Sequence, residues 1–266
     1  MNKAAILTSD FSQRVRAGFA RRAAHYDSQA RLQQAVAWRL AHWCRDLPLL
    51  AGPVADLGSG SGLLSRALMR HWTALAGQPP LQLDHCASLL ALNPLLVSAL
   101  PAPQRLWDLN DGLPIELAQA ALLASSFALH WLDDPVGQLE GWCDRLAPGG
   151  WLLLAVPTAG SFSQGRQAAT AAAVPCTALD LPEAAALLDA IGNRGLRPHR
   201  QELVRFSQAR PDGLTSLRQL KAIGAGTSRQ APLSPRQWRR LRTHWPSAGG
   251  LSWEVLLVLA RSEPCA

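Results

Sequence analysis

The chain has 266 residues, 48% of them hydrophobic, which is ample for a packed core and excludes a disordered or low-complexity protein. Lysine and arginine outnumber aspartate and glutamate 26 to 19, a formal charge of +7. Only Lys3 and Lys221 are lysines; arginine holds carboxylates and phosphates bidentately, so nucleic acid, an acidic carrier protein, an anionic small substrate and a plain solvated surface all stay open.

In chain order, residues 11–46 read as helical. Phe11, Val15, Phe19 and Tyr26 fall near one face, and Leu32, Val36, Leu40 and Trp43 repeat at three- and four-residue spacing. Tyr26, the only tyrosine beside ten tryptophans, is either a packing residue or a lid over a ligand. Pro53 to Leu57 then reads as a buried strand that runs into Gly58-Ser59-Gly60-Ser61-Gly62 and a helix opening at Leu63. Alternate glycines let the backbone turn tightly and a ligand approach, beside the unpaired N–H groups of the helix start. A dinucleotide fingerprint requires a small residue where Leu63 stands. The G-x-G-x-G spacing preceded by Asp56 instead is similar to the first motif of the S-adenosylmethionine-dependent methyltransferases; a Gly/Ser-rich surface turn is the alternative.

Leu81 to Asp84 reads as the second strand, with Asp84 at the carboxyl end, where a carboxylate accepts from both hydroxyls of a ribose. A helix over 87–92 and a third strand, Gln104 to Trp107, follow. Asp108-Leu109 either brackets an adenine or belongs to the turn at Asn110-Asp111-Gly112. Residues 120–129 have the continuous apolar character of a central parallel strand, with Ser125-Ser126 where a pocket would open. A helix from Leu139 to Leu146, closed by Pro148-Gly149-Gly150, leads to a fifth strand, Trp151 to Val156. Beyond it come helices over 166–173 and 182–191, a strand over 202–206, an insertion over 214–225, a basic helix from Pro235 to His244 capped by Ser234, and a closing strand from Trp253 to Ala260. This alternation predicts an α/β fold: a Rossmann-like, seven-stranded, mostly parallel sheet with helices on both faces, an N-terminal helical lid and late insertions. One domain is expected, with the lid over 1–48, the cofactor-binding half over 49–158 and substrate-side helices and closing strands over 159–266.

Four further stretches are specific: Phe19 to Gln33, Ser125 to Trp131, Thr158 to Phe162 and Leu217 to Ala225. Through them the chain resembles, over roughly residues 11–261, the malonyl-acyl-carrier-protein O-methyltransferases of biotin synthesis. The resemblance implies S-adenosylmethionine as methyl donor, no metal, and methylation of the free carboxylate of a malonyl thioester on acyl carrier protein. It implies cofactor contacts at Tyr26, Asp56, Gly58, Ser59, Gly60, Gly62, Asp84, Asp108, Leu109 and Ser125. Phe127 and His130 fall on the substrate side, and Arg22, Arg218 and Lys221 are candidates to hold the malonyl carboxylate, each equally readable as a surface charge. No general base is expected, because a carboxylate with a pKa near ~4 is already ionised; Tyr26 is expected near the methyl donor. The chain departs from its relatives at His130, often glutamine, at Trp253, commonly tyrosine, and at His85-Cys86, where a small polar residue and proline are usual.

Three rival readings remain. A small-molecule or carboxyl methyltransferase of the same fold, acting on another substrate such as aconitate or a quinone precursor, shares every cofactor residue. An RNA methyltransferase fits the charge, but Asn93-Pro94-Leu95-Leu96 lacks the second proline and the aromatic of an amino-methylation motif, so no nucleic-acid partner is expected. A non-catalytic binding protein is opposed by the intact glycine motif with Asp84 and Asp108. The five cysteines, Cys44, Cys86, Cys143, Cys176 and Cys265, form no C-x-x-C pair, which argues for a reducing compartment and against a zinc site. No apolar run reaches the ~18 residues of a membrane span, and none of signal type precedes Asp10. A cytoplasmic monomer without membrane contact is expected, with Arg236, Arg239, Arg240 and Arg242 meeting an acidic carrier.

Overall fold

β-Strands buried on both faces feed two cores by simple alternation, and the computed structural model shows this along the fifth strand. It describes residues 9–93, 101–207, 213–246 and 251–263, so Pro94 to Leu96 and Cys265 lie outside the described residues. Among those described, the strands are β1 (Val54–Leu57), β2 (Leu81–Asp84), β3 (Gln104–Leu106), β4 (Ala120–Ser126), β5 (Leu146–Pro157), β6 (Leu196–Ser207) and β7 (Ser252–Ser262). They form one seven-stranded sheet in the order β3-β2-β1-β4-β5-β7-β6. β1 to β5 run parallel, while β7 lies antiparallel between β5 and β6.

Along β5, Leu152, Leu154 and Val156 join one core with α6 (Pro135–Cys143) and α8 (Ala184–Asn193), which contribute Leu139, Trp142, Leu187 and Ile191. Trp151, Leu153 and Ala155 join the other with α3 (Arg31–Cys44) and α4 (Leu63–His71), which contribute Val36, Leu40, Leu64 and Leu68. The sheet is therefore covered on both faces, as the alternation of elements predicts.

Differences from the sequence reading have local causes. β5 begins five residues before Trp151 and takes in Pro148-Gly149-Gly150, where its pairing with β4 shifts register between Ala120 and Leu122. β6 begins at Leu196, not at 202, because as an edge strand it exposes Arg197 to Gln201 and carries no apolar alternation to read. α6 starts at Pro135, whose N-cap Asp134 accepts from Gly137 N at 3.0 Å.

The N-terminal helical stretch is broken into α1 (Asp10–Ala20), a 3-10 turn at Ala23–His25, α2 (Tyr26–Gln29) and α3. Ser9 caps α1 by accepting from Ser12 N at 3.1 Å. Phe11 and Val15 bury their side chains against Leu179 and Leu181, with Phe19, Trp131 and Phe162 packed beside them. The remaining helices are α5 (Ala87–Leu90), α7 (Ser163–Ala171), α9 (Gly213–Ala222) and α10 (Pro235–Thr243).

Just past α9, Gly224 adopts φ +82°, and a Cβ there would stand 2.8 Å from Phe19 Cα in α1. The left-handed region costs a side chain about 1–2 kcal/mol, and the backbone contact leaves no room for one. Gly224→Ala is therefore expected to separate the two segments locally. Amide exchange in α1 and α9 should accelerate by roughly tenfold or more, the reading of a ~1.4 kcal/mol loss, with the sheet amides unchanged; unaltered exchange in α1 would show that the contact carries no stability.

Candidate functional site

The strand order reverses between β1 and β4, and at such a switch point the following loops diverge and leave a crevice at the carboxyl ends. A cleft of about 830 Å³ lies there, walled by the loops after β1, β2, β3 and β4 and by Ser12, Val15, Phe19 and Tyr26 of the N-terminal segment.

The glycine turn is tied to β2 through its backbone. Gly58 N and Ser59 N donate to Leu83 O at 2.8 and 3.0 Å, and Gly60 N donates to Asp84 Oδ2 at 2.8 Å. Asp84 Oδ1 accepts from Cys86 N at 2.7 Å, so each oxygen keeps a lone pair for a ligand. Burial holds the Asp84 carboxyl above its ordinary range, opposed by His85 and by the two N–H groups. A Cβ on Gly58 would collide with that of Ala128, so the turns after β1 and β4 meet only because position 58 has no side chain.

Asp56 fastens the start of α4: its Oδ2 accepts from Ser65 N at 3.1 Å and Ser65 Oγ at 2.7 Å. Burial nevertheless pushes its pKa up to about 6. Beyond β3, Asp108 Oδ1 accepts from Asn110 N and Nδ2 at 3.0 and 2.9 Å. Its Oδ2 accepts from Ser12 Oγ of α1 at 2.9 Å, and the same hydroxyl stands 3.4 Å from His85 Nδ1.

Tyr26 and Phe19 form the outer wall, edge to face with ring centroids 6.1 Å apart. Burial first, then the charges of Asp84 and Asp27, raise the Tyr26 hydroxyl well above its ordinary value, so it remains a protonated donor. The next residue, Asp27, accepts from Ser61 Oγ in the glycine turn and from Arg66 Nη2 of α4, the latter at 2.7 Å. The wall is thus fastened to the loop it faces.

Of the residues expected from sequence, Tyr26, Asp56, Gly58, Ser59, Gly60, Asp84, Asp108, Leu109 and Phe127 line one cleft. Gly62 does not: it precedes α4 and packs against the Asn93 side chain. Ser125 turns into the sheet and donates to Leu57 O at 2.7 Å, leaving Ser126 on the cleft. His130 is buried outside the lining, its ring 4.9 Å from that of Trp131, and burial pushes its pKa down to about 3. Arg22, Arg218 and Lys221 are exposed, and no lysine or arginine lines the cleft among the described residues. Ser12, His85, Trp107, Asn110 and Trp131 line it without having been expected; only the adjacency of Trp107 and Asn110 to Asp108-Leu109 signals any of them.

Ser59 Oγ and Ser126 Oγ are buried without a hydrogen-bond partner among the described residues. With three carboxylates, the donor-rich turn and an apolar wall, they fit a cofactor that carries hydroxyls, an amino-bearing ring and positive charge. Among the described residues, no group of three or more His, Cys, Asp or Glu side chains is placed to hold a metal ion, and no helix is long and apolar enough to cross a membrane.

Strand order, glycine turn and strand-end acids together define the class of S-adenosylmethionine-dependent methyltransferases. A solved structure with this fold is the complex of the Haloferax volcanii Trm112 methyltransferase activator with its methyltransferase, at TM-score 0.59 and 18% identity over 95% of this chain and 99% of that one. No family model matches the chain. It is 31% identical over 224 residues to the malonyl-[acyl-carrier protein] O-methyltransferase of Magnetococcus marinus, covering 83% of this chain and 81% of that protein. It is also 30% identical to the biotin biosynthesis bifunctional protein BioCD of Bordetella avium, over 84% of this chain and 47% of that protein. The chain belongs to the malonyl-[acyl-carrier protein] O-methyltransferase family.

The acids make stability depend on pH. A carboxyl whose folded pKa lies above its unfolded value favours folding when protonated. Ionising Asp56 therefore removes stability as pH rises from the unfolded value near ~4 through about 6, by about 3 kcal/mol in all. Without cofactor, the unfolding free energy of the wild type should gain on that of Asp56→Asn between pH ~7.5 and ~4.5. A difference independent of pH would show that Asp56 is solvated as an ion.

Proposed function

We propose that this protein transfers a methyl group from S-adenosylmethionine to the free carboxylate of a malonyl thioester on acyl carrier protein, giving the methyl ester that starts pimeloyl synthesis for biotin. The observation that carries this reading is the 31% identity to a malonyl-[acyl-carrier protein] O-methyltransferase across 83% of the chain, supported by strand-end acids that face one cleft.

The cofactor supplies an electrophilic methyl on a positively charged sulfur. Asp84 would hold the ribose hydroxyls, Asp108 and Leu109 the adenine, and the glycine turn with Asp56 the amino acid end. The three acids give that end of the cleft a field that suits a cation. The attacking carboxylate is ionised at neutral pH, so no residue has to remove a proton. Alignment is what remains, with reacting atoms held ~3–3.5 Å apart, together with exclusion of water.

The cleft meets both needs without a cation of its own. The Tyr26 hydroxyl, a protonated donor at neutral pH, donates to the substrate oxygen, and the Ser126 hydroxyl, without a partner among the described residues, offers a second neutral donor. Neutral donors orient a carboxylate and leave more of its charge for attack than an arginine pair would. Phe19, Phe127 and Trp131 keep the surroundings dry. The segment from α1 to α3 acts as the lid, and Asp27 holds it to the glycine turn.

The test is transfer of labelled methyl to malonyl-carrier protein, with acetyl-carrier protein and RNA in parallel. Label in an ester on the malonyl carrier alone is the expected result; cofactor binding without transfer would remove the substrate assignment and leave the fold. In the same assay Tyr26→Phe should lower kcat by about tenfold or more, a loss of ~1.4 kcal/mol at the transition state, with cofactor affinity nearly kept. Unchanged kcat would reduce Tyr26 to packing.

A further inference from the structure

The three cations that sequence places near the malonyl carboxylate share a location outside the cleft. Arg22 is exposed at the end of α1 beside Arg21, and Arg218 and Lys221 are exposed on α9. The two segments cross where Gly224 meets α1: a Cβ on Gly18 would stand 3.0 Å from Gly224 O. Lys221 lies three residues before that crossing, and Arg21 and Arg22 lie three and four residues beyond it on the other segment. Four exposed cations therefore flank, along the chain, the crossing of the two segments.

None of the four holds a carboxylate among the described residues. Elsewhere exposed arginines do: Arg194 pairs with Glu140 and Asp144, Arg229 with Asp133 and Arg39 with Glu202. The inner side of the same wall carries Phe19 and Tyr26, which line the cleft. A single helix is about 10 Å thick, so exposed residues of this segment stand about one helix from the cleft. Unneutralised like charges repel one another, and a partner that brings carboxylates relieves them while steering its own approach.

We infer that Arg21, Arg22, Arg218 and Lys221 form the docking surface for the protein that carries the malonyl group, and that the docking face of that carrier is acidic. This rests on the proposed function, which requires a protein-borne thioester to arrive at this wall. α10 carries another set of exposed arginines, Arg236, Arg239, Arg240 and Arg242. It packs through Leu241 and Trp238 against α7 rather than against the lid, and is the competing surface.

The experiment compares the wild type with two variants: Arg21→Gln/Arg22→Gln/Arg218→Gln/Lys221→Gln, and Arg236→Gln/Arg239→Gln/Arg240→Gln on α10. Carrier binding is read by titration calorimetry at low ionic strength, without methyl transfer, so that failure of the docking surface and failure of the proposed reaction are seen separately. Methyl transfer is then followed on malonyl-carrier protein and on malonyl-pantetheine, a neutral-armed small thioester that carries the same carboxylate. The lid variant should weaken carrier binding and raise the KM for carrier by about tenfold, with turnover of malonyl-pantetheine within about twofold of wild type. Added salt should erase the difference for the carrier, as screening requires, and the α10 variant should behave as wild type. Unchanged carrier affinity in the lid variant, an equal fall on both thioesters, or loss confined to the α10 variant overturns the assignment. So does competition by RNA as strong as that by carrier protein, which would make the patch a general polyanion surface.

Discussion

A buried carboxylate at the end of β2 sets the geometry of the site. Asp84 accepts one backbone N–H from the glycine turn after β1 and another from the start of the next helical segment. Two loops from neighbouring strands are thereby held at fixed distance, and the lone pairs left over face the cleft. Burial alone penalises the charged form, and the N–H bonds offset part of that penalty. The position of Gly60, the path of the turn and the place where α4 begins all follow from satisfying this one group. Asp56 repeats the device one strand over, binding Ser65 and so the first turns of α4.

Two buried acids share one low-dielectric crevice, and Asp84 adds to the rise that burial causes at Asp56. Among the described residues, no arginine or lysine lines the cleft to relieve them. A cofactor with a sulfonium and an ammonium supplies the missing positive charge, so the cleft gains most of its electrostatic balance on binding. The same field would oppose a second anion placed near those acids. On the proposed reading the substrate carboxylate would sit by Ser126, Phe127 and Trp131, where aromatic walls and a neutral hydroxyl replace charge.

What was legible in the sequence is what is local. Asp56, Gly58, Gly60 and Asp84 lie at strand ends whose apolar runs and turn residues are readable, and strand ends of a parallel sheet converge. The first half of β6, before residue 202, escaped because that exposed edge stretch has no period to detect. Ser125 and Ser126 were separable only by knowing which face of β4 turns inward: the first reaches Leu57 O and the second opens on the cleft. Ser12 escaped because nothing in its own neighbourhood announces a ligand; α1 packs beside Trp131 and brings it to the cleft. His130 stood in a family stretch, yet it is buried outside the lining while its neighbour Trp131 faces the cleft.

The arginines show the limit of reading charge without position. A negative substrate group invites the nearest motif cation as its anchor, and Arg22, Arg218 and Lys221 satisfy that logic on paper. In the fold all three are exposed and none lines the cleft, whose wall at Phe19 and Tyr26 is aromatic. This division has a chemical rationale. A cation against the nucleophile would stabilise the ground state and draw off the charge that attacks the methyl, whereas a cation one helix away attracts the incoming macromolecule without touching the reacting oxygen. Binding attraction expressed outside the cleft lowers KM, while alignment by neutral donors inside it leaves the nucleophile reactive. Gly18 and Gly224 let the two basic segments cross at backbone distance, so one contact both builds the wall and joins the segments that carry these cations.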